Sequence, residues 1–167
     1  MTDVSVRDAT VDDVALLRAW DDEPHVIDAD PNDDWQWEKE LQRSPDWREM
    51  WIAEVDERPI GFLQIIDPAR EDSHYWGECA PDLRAIDIWI GPADALGKGY
   101  GTQMMRLAID HCFANAEVRA ILIDPLARNT RARRFYERLG FEFVEERTFG
   151  EDHCAVYRLD RERWEGR

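Results

Sequence analysis

The chain has 167 residues, 44 % of them hydrophobic and eight of them Trp, which fits one globular domain with a buried core and excludes a disordered chain. Thirty-seven acidic against 21 basic residues leave a formal charge of −16, which speaks against a nucleic-acid partner and suits either a cationic ligand or plain solubility. Cys79, Cys112 and Cys154 are scattered and form no C-x-x-C pair, so neither a disulfide framework nor a zinc site is expected. No apolar run reaches membrane length and the opening residues carry no apolar signal region, so a cytoplasmic protein without a membrane partner is expected.

Val4 to Arg7 alternates as a strand does, and Thr10 offers the N-cap of a helix whose face is Val11, Val14, Leu16 and Leu17, ending near Trp20. Seven acids and no Lys or Arg lie between Asp21 and Asp34, and Trp35 and Trp37 then open a second helix through Leu41. Acids beside aromatic rings suit a polyamine through ion pairing and cation–π contact, or form a solvated, helix-capping loop. Met50–Val55 and Ile60–Ile66 flank a turn at Asp56–Pro59, a β-hairpin signal. The polar stretch Asp67–Asp82, with Tyr75, Trp76 and Glu78, reads as a loop over one end of the sheet, and Ile86–Ile90 as the central strand. A helix from about Gly101 to Ala114 follows, with Met104, Met105, Ala108 and Cys112 turned inward, and then a short buried strand at Ala120–Pro125, parallel if that helix is its crossover. Asn129 caps another helix that Gly140 stops, and Phe141–Arg147 with His153–Leu159 form a final antiparallel pair.

Between the central strand and its helix lies Leu96-Gly97-Lys98-Gly99-Tyr100-Gly101-Thr102. Glycine backbones approach a ligand closely, and amides at a helix N-terminus point at an anion. A Walker loop fails, because Lys98 is followed by Gly99 rather than Ser or Thr; a dinucleotide fingerprint wants Gly-x-Gly-x-x-Gly and a place on the first strand. A glycine-rich turn without ligand stays open. The segment resembles the acetyl-CoA loop of the GCN5-related N-acetyltransferases (GNAT), with Gly99 and Gly101 as its Gly-x-Gly and Leu96 where Gln or Arg is usual. The run Asn129-Thr130-Arg131-Ala132-Arg133-Arg134-Phe135-Tyr136 through Gly140-Phe141 resembles the family's second signature. The resemblance implies one N-acetyltransferase domain over residues 1–167 with the GNAT fold. That fold is α/β: a mixed, mostly antiparallel central sheet with a splayed parallel pair and flanking helices.

Acetyl transfer to an amine needs a neutral amine, a stabilised oxyanion and a proton for the departing thiolate. Asp87 is out of phase with Ile86, Ile88 and Ile90 and shares a strand face with Trp89. An acid there is costly unless paired or working, and Asp124 ends the neighbouring strand where ligands of α/β proteins collect. Either acid could orient an ammonium or relay its proton; Asp124 could instead cap the Pro125 turn. The resemblance implies Tyr136 as general acid, Asn129 on the cofactor, and the backbone of Ile88, Trp89 and Ile90 for the oxyanion and pantetheine. Leu96, Gly97, Lys98, Gly99, Tyr100, Gly101 and Thr102 would hold the pyrophosphate, and Lys98, Arg131 and Arg134 its charges.

Arg84–Asp87, the glycine loop, Asp124-Pro125 and Asn129–Phe141 are together similar to the aminoglycoside 6'-N-acetyltransferase branch and its siderophore hydroxylamine acyltransferase neighbours. That likeness implies Asp87 as base and Glu78, Asp124 and Asp152 on a cationic substrate. Two positions depart from the branch: Ala29-Asp30 stand where a Trp pair is frequent, and Ala80 precedes Pro81 where an acid is frequent. The expected activity is acetyl transfer from acetyl-CoA to a primary amine of a cationic small molecule, by a monomer or homodimer. An N-hydroxylamine acceptor, or a CoA- and cation-binding module without turnover, are the alternatives.

Overall fold

The computed structural model describes residues 2–167. Its strands are β1 (Ser5–Asp8), β2 (Arg48–Val55), β3 (Arg58–Ile66), β4 (Leu83–Ile90), β5 (Ala120–Ile123), β6 (Glu142–Phe149) and β7 (Asp152–Asp160). They form a seven-stranded sheet in the order β1-β2-β3-β4-β5-β7-β6. Only β4 and β5 run parallel, in the register Leu83↔Ala120 to Ala85↔Leu122; the α/β fold with a mostly antiparallel sheet is as expected. The helices are α1 (Val14–Asp21), α2 (Pro24–Ala29), α3 (Trp37–Leu41), α4 (Tyr100–Ala114), α5 (Thr130–Leu139) and α6 (Arg161–Glu165). None is long and apolar enough to cross a membrane among the described residues.

The chain divides into two compact units, the first running to Ile65 and including Asp87–Ala108. Its helical entrance follows from a capping box. The Thr10 hydroxyl accepts from the Asp12 N–H, and the Asp13 carboxylate accepts from the Thr10 N–H at 2.8 Å, across a 3-10 turn that feeds α1. Asp13 also takes both guanidinium nitrogens of Arg7 at 2.8 and 2.9 Å. Burial alone would raise the Asp13 carboxyl, but the Arg7 and Thr10 hydrogen bonds hold it below its ordinary value. Leu17, Trp20, Trp37, Leu41, Ile52 and Phe62 then form the core of this unit, each large side chain contributing about 1.5–3 kcal/mol by burial.

Several boundaries differ from the sequence reading; β4, for one, begins at Leu83 rather than Ile86. The acidic stretch after α1 contains α2, entered through Pro24 at the first helical turn, where a proline's missing N–H costs nothing. The β2–β3 turn is also tighter than Asp56–Pro59. Asp56 and Glu57 alone make it, both with positive φ of 50° and 66°, the twist a two-residue hairpin requires, so that Arg58 and Pro59 already belong to β3.

The second unit comprises Ile66–Ile86 and Ile109–Arg167. Every residue of β5 is buried, and β7 lies antiparallel to it with Ile121 opposite Leu159. The Asn129 carbonyl oxygen accepts from the Ala132 N–H to cap α5, and Gly140 in the left-handed region ends it. The Arg161 guanidinium donates to the Phe113 and Asn115 carbonyls at 3.0 and 2.7 Å, a cation against the carbonyl end of α4. In α6, which lacks a strong sequence signal, buried Trp164 donates its indole N–H to Asp110 at 2.8 Å. Cys79, Cys112 and Cys154 form no disulfide, and the last two are buried.

Candidate active site

The glycine loop has the shape its composition predicts. Gly97 and Gly99 have φ of 71° and 80°, and a Cβ added to either would meet no atom within 4 Å. The left-handed backbone demands glycine, and the space above it is open. The first hydrogen bond of α4 in the helical register runs from the Gln103 N–H to the Gly99 carbonyl at 3.3 Å, so the amides of Tyr100, Gly101 and Thr102 precede it and are the helix's free N-terminal donors. With exposed Lys98 beside them, these groups fit a pyrophosphate. Leu96 contributes no free amide, because its N–H donates to the Ala93 carbonyl at 3.2 Å.

In the same unit Asp87 and Trp89 extend from one face of β4. The Gln64 side-chain amide on β3 donates to Asp87 Oδ2 at 2.8 Å. Burial pushes the Asp87 carboxyl up to about 6; the Gln64 hydrogen bond opposes the rise and the Asp33 charge adds to it. Beside Asp87 the Trp89 ring stacks on Phe62 with centroids 4.7 Å apart. Trp35 stands edge-on to Trp89 at 5.4 Å and stacks on Trp37 at 4.9 Å. The Trp37 indole donates to Asp21 Oδ2 at 2.7 Å, and burial, then the nearby Asp22, Asp33 and Asp34, raise the Asp21 carboxyl. Trp89 Nε1 is the one buried side-chain nitrogen or oxygen without a hydrogen-bond partner among the described residues, a state that costs about 1–3 kcal/mol unless a ligand or water relieves it. At the end of the strand His25 Nε2 lies 2.8 Å from the Ile90 carbonyl and donates to it, which fixes the neutral ring's proton on Nε2.

In the second unit Asp124, half-buried after β5, accepts from the Tyr75 hydroxyl at 2.5 Å. Tyr75 is stacked on Phe149 at 4.4 Å with the rings 7° apart. The Arg147 guanidinium lies over that same Phe149 ring and donates to the Trp76 carbonyl at 3.1 Å. The long loop before β4 is thus tied to β6 through aromatic and charged contacts. Asp152 is half-buried at the start of β7, and Glu78 is exposed on the loop. Tyr136 is buried on α5 with its ring edge-on to Phe135 and Phe141. Asn129 spends its side-chain oxygen on the helix cap, leaving its NH₂ for other partners, and Arg131 and Arg134 are exposed on α5.

Sequence reasoning brought Asp87 and Trp89 to one face, as found, and missed Gln64, His25 and the Tyr75–Asp124 bond. Gln64 was findable, being the one polar residue inside the apolar run Ile60–Ile66. His25 and Tyr75 act across 65 and 49 residues of sequence and leave no local pattern.

The acetyltransferase (GNAT) domain family matches residues 9–149. Aminoglycoside N(6')-acetyltransferase type 1 of Klebsiella pneumoniae is 31 % identical over 153 residues, which cover 83 % of this chain and 74 % of that protein. The lysine N-acyltransferase MbtK of Mycobacterium tuberculosis is 26 % identical over 169 residues, covering 93 % of this chain and 76 % of that one. The crystal structure of aminoglycoside acetyltransferase AAC(6')-Ib with coenzyme A and kanamycin superposes with a TM-score of 0.85 at 29 % identity, over 98 % of either chain. A family match over most of the chain, on a sheet with the same single parallel pair and an open glycine cradle, has one reading: the chain belongs to the GNAT acetyltransferases and is an acyltransferase.

Proposed function

We propose that this acetyltransferase moves the acetyl group of acetyl-CoA to a primary amine of an aminoglycoside-like polycation, with residues 1–167 acting as a single N-acetyltransferase domain. One observation favours an ammonium acceptor over a hydroxylamine: Asp87, a half-buried carboxylate held by Gln64 and raised to about 6. Such a group is a usable base near neutral pH, and only an acceptor that arrives as an ammonium needs one. A hydroxylamine is neutral at that pH and needs no such group. The acids around Trp35 and Trp37, with Asp124, Asp152 and Glu78, give a polycation further carboxylates to pair with.

When bound, acetyl-CoA supplies the acetyl group as an activated thioester. Gly97 to Thr102 bind its pyrophosphate through backbone amides and Lys98, with Asn129, Arg131 and Arg134 as further contacts. The β4 backbone at Ile88, Trp89 and Ile90 offers the donor for the oxyanion; the Ile90 carbonyl is already engaged by His25. Asp87 takes the proton from the acceptor ammonium, freeing the nitrogen lone pair for attack. The Tyr136 hydroxyl gives a proton to the departing thiolate. The half-buried setting of Asp87 keeps bulk water from levelling its basicity.

The test is acetyl-CoA turnover against kanamycin-type aminoglycosides, polyamines, lysine and N-hydroxylated amines, with product followed by mass. An increase of one acetyl on an aminoglycoside, lost in Asp87→Asn, is the expected outcome. Preferred acetylation of lysine, or of a hydroxylamine with Asp87→Asn at the parent rate, overturns the acceptor assignment. CoA binding with no acetylated amine overturns the enzymatic reading of the site.

A further inference from the structure

β3 is buried on both sides from Ile60 onward, and within that run Gln64 is 8 % exposed. A primary amide in such a place is costly unless its polar atoms are satisfied, and its NH₂ is spent on one oxygen of Asp87 at 2.8 Å. The carboxylate is thereby fixed by Oδ2, with Oδ1 left to meet an acceptor. The chemical type of the partner matters as much as the contact. A Lys or Arg at this position would pull the carboxyl far down and leave a weak base. An apolar side chain would leave the acid without this donor and more often protonated at neutral pH. A neutral donor aims the carboxylate and lowers its proton affinity only in part. A further charge acting on Asp87 is that of Asp33, in the segment between α2 and α3, which works the other way.

We propose that Gln64 is a positioning residue for the base: its amide holds one oxygen of Asp87, sets the direction of the other, and fixes the pH range over which Asp87 accepts a proton. This rests on the assignment of Asp87 as base made above, and it adds a residue that neither the glycine-loop signature nor the Asn129–Tyr136 signature contains.

The experiment compares the parent with Gln64→Leu, Gln64→Glu and Asp87→Asn in two measurements. The first is the ¹³C titration of the Asp87 carboxyl in the ligand-free protein, with Asp87→Asn identifying the signal. The second is the pH profile of kcat/KM, whose acid limb reports the essential base of the free enzyme. In Gln64→Leu both should move up together by about one pH unit, the usual reach of a hydrogen bond to a carboxylate. Activity then falls several-fold near pH 6.5 and much less near pH 8.5. Gln64→Glu keeps the shape and guards against a folding failure of the leucine variant. Its second carboxylate beside Asp87 should raise the limb at least as far. If the carboxyl titration or the acid limb stays at the parent position in both Gln64 variants, the role of Gln64 is overturned. Turnover of Asp87→Asn at the parent rate overturns instead the assignment of the base, and the role of Gln64 with it, so the two failures are told apart.

Discussion

Asp87 and Asp124 each accept a short hydrogen bond from a neutral side chain, from Gln64 at 2.8 Å and from Tyr75 at 2.5 Å, yet their surroundings differ in kind. Asp87 shares a face of β4 with Trp89, whose ring packs against Phe62 and Trp35, and its donor is itself buried in a strand. Asp124 follows the end of β5, and its donor sits on a loop with Tyr75 44 % exposed. Burial changes what a carboxylate can do. Both acids are half-buried; burial raises the Asp87 carboxyl to about 6, which suits a base near neutral pH, whereas Asp124, at a strand end beside an exposed donor, stands where a cation can pair with it. On the roles proposed above, the contrast gives proton transfer to the first acid and recognition to the second.

The largest expected effect breaks this contrast if it fails. Asp87→Asn should lower kcat/KM about 100-fold or more, the usual worth of a general base, whereas Asp124→Asn should raise KM for the amine by about tenfold and leave kcat near the parent value. Steady-state kinetics with the acceptor varied measure both, and equal losses of kcat in the two variants would erase the distinction. A smaller effect of opposite sign appears in stability. The folded pKa of Asp87, about 6, stands above the unfolded value of about 3.9. Between those values the folded state keeps a proton that the unfolded state has lost, so the contribution to stability falls as pH rises through that window and stays low above it. A rise of that size implies up to ~3 kcal/mol, and solvent access to the half-buried side chain reduces it to about 1–2. Asp87→Asn should therefore melt a few degrees higher than the parent at pH 8, with the gain gone near pH 4. Thermal unfolding at the two pH values checks it.

The same contrast governs what could be seen without coordinates. The glycine loop, the Asn129 cap and the Gly140 stop all depend on neighbours within a few residues, and each stands where the residues implied, whereas from Ile86 to Ile90 only Ile86 is fully buried and burial does not alternate. Asp87 was marked by being polar on an otherwise apolar strand. The features that suit it to the proposed role of base are non-local: Gln64 is 23 residues away, and Asp33 follows α2, a helix that the run of acids concealed. Pro24 was the local sign of that helix, since proline favours a first turn. Tyr75 is further still from legibility, because a loop of no periodicity sets its position and only the stack on Phe149 explains it.

The mildest test concerns that loop. Tyr75→Phe keeps the ring and its stack on Phe149 and removes only the hydroxyl that donates to Asp124. With Tyr75 partly in solvent, water replaces the lost donor at little cost, so the melting temperature should stay within about 1 °C of the parent. Asp124 loses one of its hydrogen bonds, and KM for the amine should rise about three- to fivefold, with kcat unchanged, as expected when uniform binding is weakened. Tyr75→Ala removes the stack as well, loosens a loop that Trp76 and Arg147 still hold to β6, and should raise KM further with faster proteolysis between Asp67 and Asp82. A fall in kcat for Tyr75→Phe comparable to that of Asp87→Asn would mean that the exposed acid also moves the proton, and that burial does not separate the two roles.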